Sequence, residues 1–109
     1  MGRNKHFQAV YRRGKRQAGR FLVLTSLRSK ELKIGFSVSS KVGGAVVRNR
    51  VKRMIRDDFR YLRPDLLPGR YVISARVAAS GAKHEQLTNE LRYLFARAKL
   101  LKDGDQHER

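Results

Sequence analysis

Apolar residues recur along this chain with two spacings, one near the helical period of about 3.6 residues and one near the strand period of about 2. The longer period predicts three helices. The first covers residues 4–13 and ends at Gly14, the second covers residues 45–62, and the third covers residues 84–101. Each has a single apolar face, so each is expected to pack against another element.

The shorter period predicts three strands, FLVLTSL (21–27), LKIGFSV (32–38) and YVISARV (71–77). Only RSKE separates the first two, which predicts that they pair as an antiparallel hairpin. The basic segment RRGKRQAGR, which precedes the first strand, is expected to be a turn. In the second strand, the apolar side chains expected on one face are Leu32, Ile34, Phe36 and Val38.

The predicted element order is α-β-β-α-β-α, which is typical of an α+β protein. We expect a small α/β sandwich in which helices cover a sheet. The length of 109 residues suits one domain, residues 1–109, with one modest core. We expect residues 1–4 and 103–109 to be mobile.

The charge balance indicates a polyanionic partner. Lys and Arg number 26 against 9 Asp and Glu, a formal net charge of +17. So much like charge opposes a compact state, and nucleic acid is the first candidate partner, with an anionic membrane surface second. Cysteine is absent, which excludes disulfides and thiol chemistry. There is no apolar run near the roughly 20 residues of a membrane span and no secretory signal, so we expect a cytoplasmic protein.

The second helix separates its apolar and basic residues. Like charges at Arg48, Lys52 and Arg56 follow one another at i, i+4, which costs a few tenths of a kcal/mol per pair. A phosphate backbone would favour such a row, and this reading outweighs a plain solvated surface. Asp58 falls inside the apolar arc, and it either reaches the edge of that arc or pairs with a basic residue. The basic arc contains Arg48, Asn49, Lys52, Arg53, Arg56 and Arg60, with Arg50 toward its edge near Tyr61.

The residues suited to acid–base or metal chemistry do not form a pattern typical of an active site. His6, His84 and His107 are far apart in the sequence. Asp57 and Asp58 are adjacent and would point about 100° apart on a helix, which is poor geometry for sharing a metal ion. We therefore predict no catalytic residue and no metal site in the protein itself.

The segment GFSVSSKVGGAVVRNRVKRMIRDDFR (35–60) resembles the signature of the protein subunit of bacterial ribonuclease P. The resemblance extends to the family's first helix through FQAVYRRGKR, to its first strand through RFLVL, and to its last strand through YVISAR. It therefore runs from about residue 5 to 100. Three positions depart from the family's usual residues: Ser40, Gly44 and Asp58.

The resemblance implies a partnership with a catalytic RNA that removes the 5′ leader of precursor tRNA. The RNA and its Mg²⁺ ions would perform the hydrolysis, so the protein would be part of an endoribonuclease, 1:1 with the RNA subunit and without a membrane role. It also implies a left-handed strand–helix–strand crossover through residues 32–77, an exception to the usual hand. Asn49 could bond a 2′-hydroxyl or a phosphate, or simply water. The residues implied to contact the catalytic RNA, here called the cationic face, are Arg48, Asn49, Arg50, Lys52, Arg53 and Arg56.

The resemblance assigns a second surface to the leader. Periodicity alone predicts that Phe7 and Tyr11 are core residues. The family resemblance instead implies that they form an aromatic ledge on which leader bases stack. Basic residues 12–16 would flank that ledge, and Gly35 and Ser37 are weaker candidates for lining it. The implied leader contacts are Phe7, Tyr11, Arg12, Lys15, Phe36 and Lys41.

Two other classes of protein share this composition. A ribosomal-type protein that binds rRNA is equally small, basic and free of cysteine, and only the signature at residues 36–56 distinguishes it. A cationic membrane-surface protein is disfavoured, because the apolar arc of the second helix is needed to cover the sheet.

Overall fold

The computed structural model describes the backbone of residues 2–102 and the side chains of residues 8–102. The predicted mobile C-terminal segment and His107 lie outside the described residues, and so do the side chains of His6 and Phe7. None of the helices in the described part of the chain is long and apolar enough to cross a bilayer. The elements are α1 (Gly2–Arg13), β1 (Lys15–Ala18), β2 (Leu22–Arg28), β3 (Lys33–Ser37), α2 (Ala45–Leu62), β4 (Gly69–Ala75) and α3 (His84–Arg97), with short 3₁₀ turns at Arg63–Asp65 and Val77–Gly81.

The four strands form one sheet in the order β1-β2-β4-β3. β2 pairs antiparallel with both β1 and β4, and β3 pairs parallel with β4. The predicted hairpin between β2 and β3 is therefore wrong, because β4 lies between them. Val72 and Ile73 of β4 are both buried although they face opposite sides, which suits a central strand, whereas β3 carries Lys33 and Ser37 and suits an edge.

β1 is a strand that the hydrophobic pattern did not predict. Its sequence, KRQA, has no apolar alternation, and the segment was expected to be a turn. It is held by backbone pairing with β2 at the edge of the sheet, and three of its four residues are exposed. Periodicity detects burial, so it misses a strand that is held only by its ladder.

The sheet has helices on both faces, which confirms the predicted α+β sandwich. α2 and α3 cover one face and enclose the main core, which includes Leu24, Ile55 and Ile73. The apolar residues in and beside β3 that were expected on one face also pack against this core: Leu32, Ile34, Phe36 and Val38. α1 contacts β2 and β4 on the other face, where Val10 is fully buried. α2 connects the parallel strands β3 and β4, and the left hand of that crossover stays a prediction.

The three helices follow the predicted pattern closely. α2 has the predicted bounds, whereas α3 ends at Arg97, four residues before the predicted end. Lys99 has a positive φ of 62°, and the amide of Leu100 donates to the carbonyl of Phe95 at 3.0 Å. This left-handed residue stops the helix, although glycine usually occupies such a position.

Asp58 is buried and links α2 to α3. Its Oδ1 accepts hydrogen bonds from His84 Nε2 at 2.8 Å and from Thr88 Oγ1 at 2.7 Å. Pairing with a basic residue, one of the two predicted alternatives, is therefore confirmed, and the partner is His84. The second oxygen of Asp58, Oδ2, is buried and has no hydrogen-bond partner among the described atoms.

Candidate nucleic-acid interface

The cationic face lies on the solvent side of α2, with the apolar arc buried beneath it. Val51, Ile55 and Phe59 are buried in the core. Asn49, Arg50, Arg53 and Arg56 are exposed, and Arg48 and Lys52 are partly buried. The predicted division of the helix into a core side and a cationic side is therefore confirmed as geometry.

Contacts within the protein orient three arginines of the cationic face. Arg48 Nε donates to the carbonyl of Gly43 at 3.2 Å, and Arg50 Nη2 donates to the carbonyl of Ser80 at 2.7 Å. Arg50 thus reaches the turn before α3. The Arg56 guanidinium lies over the Phe36 ring, 5.8 Å from its centroid, within cation–π range. Because these side chains are already ordered, a phosphate partner would lose less entropy in fixing them.

The cationic face has little internal neutralisation. The ion pair between Arg60 and Asp57, at 3.5 Å, is exposed and lies one turn beyond it. Among the side chains that the structure describes, no residue of the cationic face has an acidic partner. The positive potential of the face is therefore available to an external anion.

A second candidate surface is a cavity of about 740 Å³ on the α1 side of the sheet, here called the sheet cleft. Tyr11 projects into it from α1 and is 54% exposed, whereas its neighbour Val10 is fully buried. Tyr11 is therefore not a core residue, contrary to what periodicity alone predicted. Arg16 and Arg76 supply positive charge to the same cavity.

Gly14 allows α1 and β1 to meet at the sheet cleft. Its amide donates to the carbonyl of Val10 at 2.8 Å, and a Cβ at this position would come too close to the Val10 and Ser26 carbonyl oxygens. Only glycine fits such a close approach of backbones. The tight junction lets Tyr11 and Arg16, on two different elements, line one cavity.

Glu90 and Arg76 hold the far end of the sheet cleft. The Glu90 carboxylate, from α3, accepts hydrogen bonds from the backbone amides of Arg20, Phe21 and Leu22, at 2.9, 2.7 and 2.6 Å. Arg76 Nη1 donates to the carbonyl of Gly19 at 2.8 Å. The turn between β1 and β2 is thus fixed from both sides. Sequence reasoning missed both residues, because their partners are backbone groups distant in the chain.

Two of the predicted leader contacts do not face the sheet cleft. Phe36 lies on the opposite face of the sheet, where its ring packs edge-on against Phe59 at 6.0 Å between centroids. Lys15 pairs with Ser26, so its side chain is on the face of the sheet away from the cleft. Its neighbour Arg16 pairs with Thr25 and lines the cleft. Strand alternation separates neighbouring residues in this way. The prediction that Phe36 and Lys15 line the same cleft as Tyr11 is therefore wrong.

The other predicted leader contacts are compatible with the sheet cleft or cannot be judged. Gly35 and Ser37 share the cleft side of β3, since they pair with Val72 and Ser74. Arg12 is exposed on α1, and Lys41 is exposed in the loop before α2. The side chain of Phe7 lies outside the described residues.

Several acidic residues of the described region are engaged by other protein groups. Asp57 pairs with Arg60, Glu31 pairs with Lys33 at 3.7 Å, and Glu90 is held by backbone amides. No group of three or more His, Asp or Glu side chains in that region could hold a metal ion.

Comparisons with known proteins agree with this geometry. Residues 1–99 match the family described as Ribonuclease P. The ribonuclease P protein component of an Exiguobacterium species is 41% identical over 100 residues, covering 90% of this chain and 88% of the relative. That of Bacillus velezensis is 41% identical over 103 residues, covering 92% and 89%. The solved RNase P protein of Staphylococcus aureus superposes with a TM-score of 0.84 at 32% identity, covering 90% of this chain and 93% of that one.

The fold and the two basic surfaces define a small, single-sheet RNA-binding protein. The chain belongs to the ribonuclease P protein family and is a protein subunit of the ribonuclease P ribonucleoprotein, which acts in tRNA processing. An RNA partner follows from that membership. The ribosomal-type alternative is not favoured, since the family match covers nearly the whole chain.

Proposed function

We propose that the protein binds the catalytic RNA of ribonuclease P through the cationic face and the 5′ leader of precursor tRNA in the sheet cleft. The observation that carries the proposal is the presence of two separate basic surfaces, one on α2 and one on the opposite side of the sheet. One protein could then contact two RNAs at once. A 1:1 complex with the catalytic RNA is the simplest arrangement.

The chemistry of the cationic face suits a folded RNA. An A-form helix presents phosphates and 2′-hydroxyls, which can be recognised by charge and shape without reading bases. Arg48, Arg50 and Arg56 are already oriented by contacts within the protein. Exposed Asn49 can both donate and accept a hydrogen bond. This face is suited to fixing the position of a structured partner.

The chemistry of the sheet cleft suits a single strand. Tyr11 offers a ring on which a base can stack, and stacking tolerates any sequence. Arg16 and Arg76 can bind the phosphates that flank a stacked base, while Thr25 and Ser74 offer hydroxyl groups. We include Phe7, one helical turn before Tyr11, on the family resemblance alone.

We assign the hydrolysis to the RNA and to Mg²⁺ ions bound mainly by the RNA. Phosphodiester hydrolysis by a protein needs a positioned acid and base or a set of metal ligands. In the described region Asp57 pairs with Arg60, Glu90 is bonded to backbone amides, and His84 is bonded to Asp58. The role of this chain is therefore to bind and orient the two RNAs.

The test is cleavage of a 5′-extended precursor tRNA at low Mg²⁺. It compares the protein alone, a cognate catalytic RNA alone, and the two together. We expect efficient cleavage only in the mixture. Cleavage by the protein alone would mean that it has its own active site, and no enhancement in the mixture would contradict the proposal.

A further inference from the structure

A second cavity, of about 550 Å³, lies beside β1 on the side away from the sheet cleft, and we call it the β1 pocket. Its apolar lining includes Leu27, Leu67 and Leu100, and Leu67 is unusually exposed for a leucine at 38%. Its basic lining consists of Arg13, Lys15, Arg28 and Lys99. No acidic residue lines it.

The four cations of the β1 pocket are not neutralised by the part of the protein that the structure describes. All four are exposed, and none takes part in an ion pair with a described acid. Lys33, on the opposite edge strand of the sheet, is by contrast paired with Glu31. Four like charges around one cavity repel each other, and an anion in the cavity would remove that repulsion. The pocket therefore fits a ligand with negative charge and an apolar part.

Lys99 occupies a backbone position that favours glycine. Its φ of 62° places it in the left-handed region, where a side chain with a Cβ is disfavoured. The residue nevertheless carries a cation into the lining of the β1 pocket. Replacing it by glycine removes the charge without harming the end of α3, which makes this position a clean experimental probe.

The β1 pocket and the sheet cleft meet at the junction of α1 and β1. Gly14 and Arg16 line the sheet cleft, while Arg13 and Lys15 line the β1 pocket. β1 is an edge strand of only four residues, so one of its edges is unpaired. A flexible polyanion that leaves the sheet cleft at Arg16 needs to cross only this short strand to enter the pocket.

We propose that the β1 pocket binds single-stranded RNA, namely the leader nucleotides 5′ to those held in the sheet cleft. Phosphates would lie on the four cations, and a base or ribose would rest on the leucines. This inference rests on the proposed function of the sheet cleft. It also gives Lys15 a role in leader binding, at a second site and not at the first.

The test uses the full-length protein assembled with its catalytic RNA and two precursor tRNAs. Their leaders have about 4 and about 12 nucleotides, within the range of single-strand site sizes. The variant combines Lys15→Gln with Lys99→Gly. The matched control combines Arg92→Gln with Arg97→Gln, which removes the same charge from the surface of α3, outside both cavities. Dissociation constants and thermal unfolding midpoints are measured for each.

We expect the variant to bind the long-leader precursor about threefold to tenfold more weakly, with short-leader binding unchanged. The control should change neither. Lys99→Gly alone should show part of the loss without a lower unfolding midpoint, because glycine suits the left-handed position.

Three outcomes would overturn the inference: no loss, an equal loss for both leaders, or an equal loss in the control. Loss of binding to phosphatidylserine vesicles without loss of long-leader binding would instead assign the pocket to anionic lipid. Failure of the proposed function is distinguishable, since the unmodified protein would then not favour even the short-leader precursor over mature tRNA.

Discussion

The cationic face and the sheet cleft are built in opposite ways. The cationic face belongs to one regular helix, and every residue assigned to it by sequence lies on the solvent side of α2. The sheet cleft is assembled from α1, β1, β2 and β4, and its main basic residues are Arg16 and Arg76. A surface on one helix can be read from spacing, because the helix fixes the angles between residues. A surface shared by four elements depends on how they pair.

The largest expected effect tests whether the cationic face binds the catalytic RNA. We expect Arg48→Ala, Lys52→Ala and Arg56→Ala together to weaken assembly by about 3 to 4 kcal/mol at low salt, since charge-assisted contacts are lost. Each lost phosphate contact should also reduce the slope of log affinity against log salt by roughly 0.7 to 0.9. The measurement is a salt titration of binding. An unchanged slope would remove this face from the interface.

The next effect tests whether Glu90 supports the sheet cleft. Glu90→Ala leaves the amides of Arg20, Phe21 and Leu22 without their acceptor, so we expect a loss of about 2 to 3 kcal/mol of unfolding free energy. Precursor binding should weaken along with it, because Arg76 and β1 are anchored at the same turn. Chemical denaturation measures the first change and precursor titration the second.

Glu90→Gln is the matched variant, since it keeps one acceptor oxygen and should lose less stability. Assembly with the catalytic RNA should be nearly normal for both variants below their unfolding temperature, because the Glu90 carboxylate bonds to residues 20–22 and not to α2. Equal damage to both RNA interactions would mean that the two surfaces are not independent.

The sequence predicted the helices and three of the four strands, because each buries an apolar face. It did not predict β1, whose only tie to the sheet is its backbone ladder. It also placed β2 beside β3, since a short linker permits that pairing, whereas the burial of both faces of β4 requires the central place. The misplacement of Lys15 follows from the first error, because its face depends on how β1 pairs with β2. The misplacement of Phe36 has another source: the family resemblance assigned it to the leader, although alternation placed it on the apolar face of its strand.

A moderate effect is expected at Tyr11, and it distinguishes a side chain that stacks on a leader base from one that only supports the fold. Tyr11→Ala should weaken binding of precursor tRNA by about 1 to 3 kcal/mol, the range for one lost stacked base, and spare mature tRNA. Tyr93 is a matched control, because it is exposed to the same 54% but lies on α3 outside the sheet cleft. Tyr93→Ala should leave the binding of both precursor and mature tRNA unchanged. Equal losses for precursor and mature tRNA would show that Tyr11 does not bind the leader.

The smallest expected effect concerns the link between α2 and α3 that lies under neither surface. Asp58 is buried with one oxygen unpartnered, so its desolvation is only partly offset by His84 and Thr88. Removing one partner of an ion pair is costly when it leaves a buried charge behind. Asp58→Ala leaves only the half-exposed His84 side chain, whereas His84→Ala leaves the buried carboxylate. We therefore expect Asp58→Ala to change the unfolding free energy by less than about 1 kcal/mol, and His84→Ala to cost more than Asp58→Ala. Chemical denaturation of the two single variants and the double variant measures the coupling. If Asp58→Ala is the more damaging change, the paired carboxylate stabilises the fold.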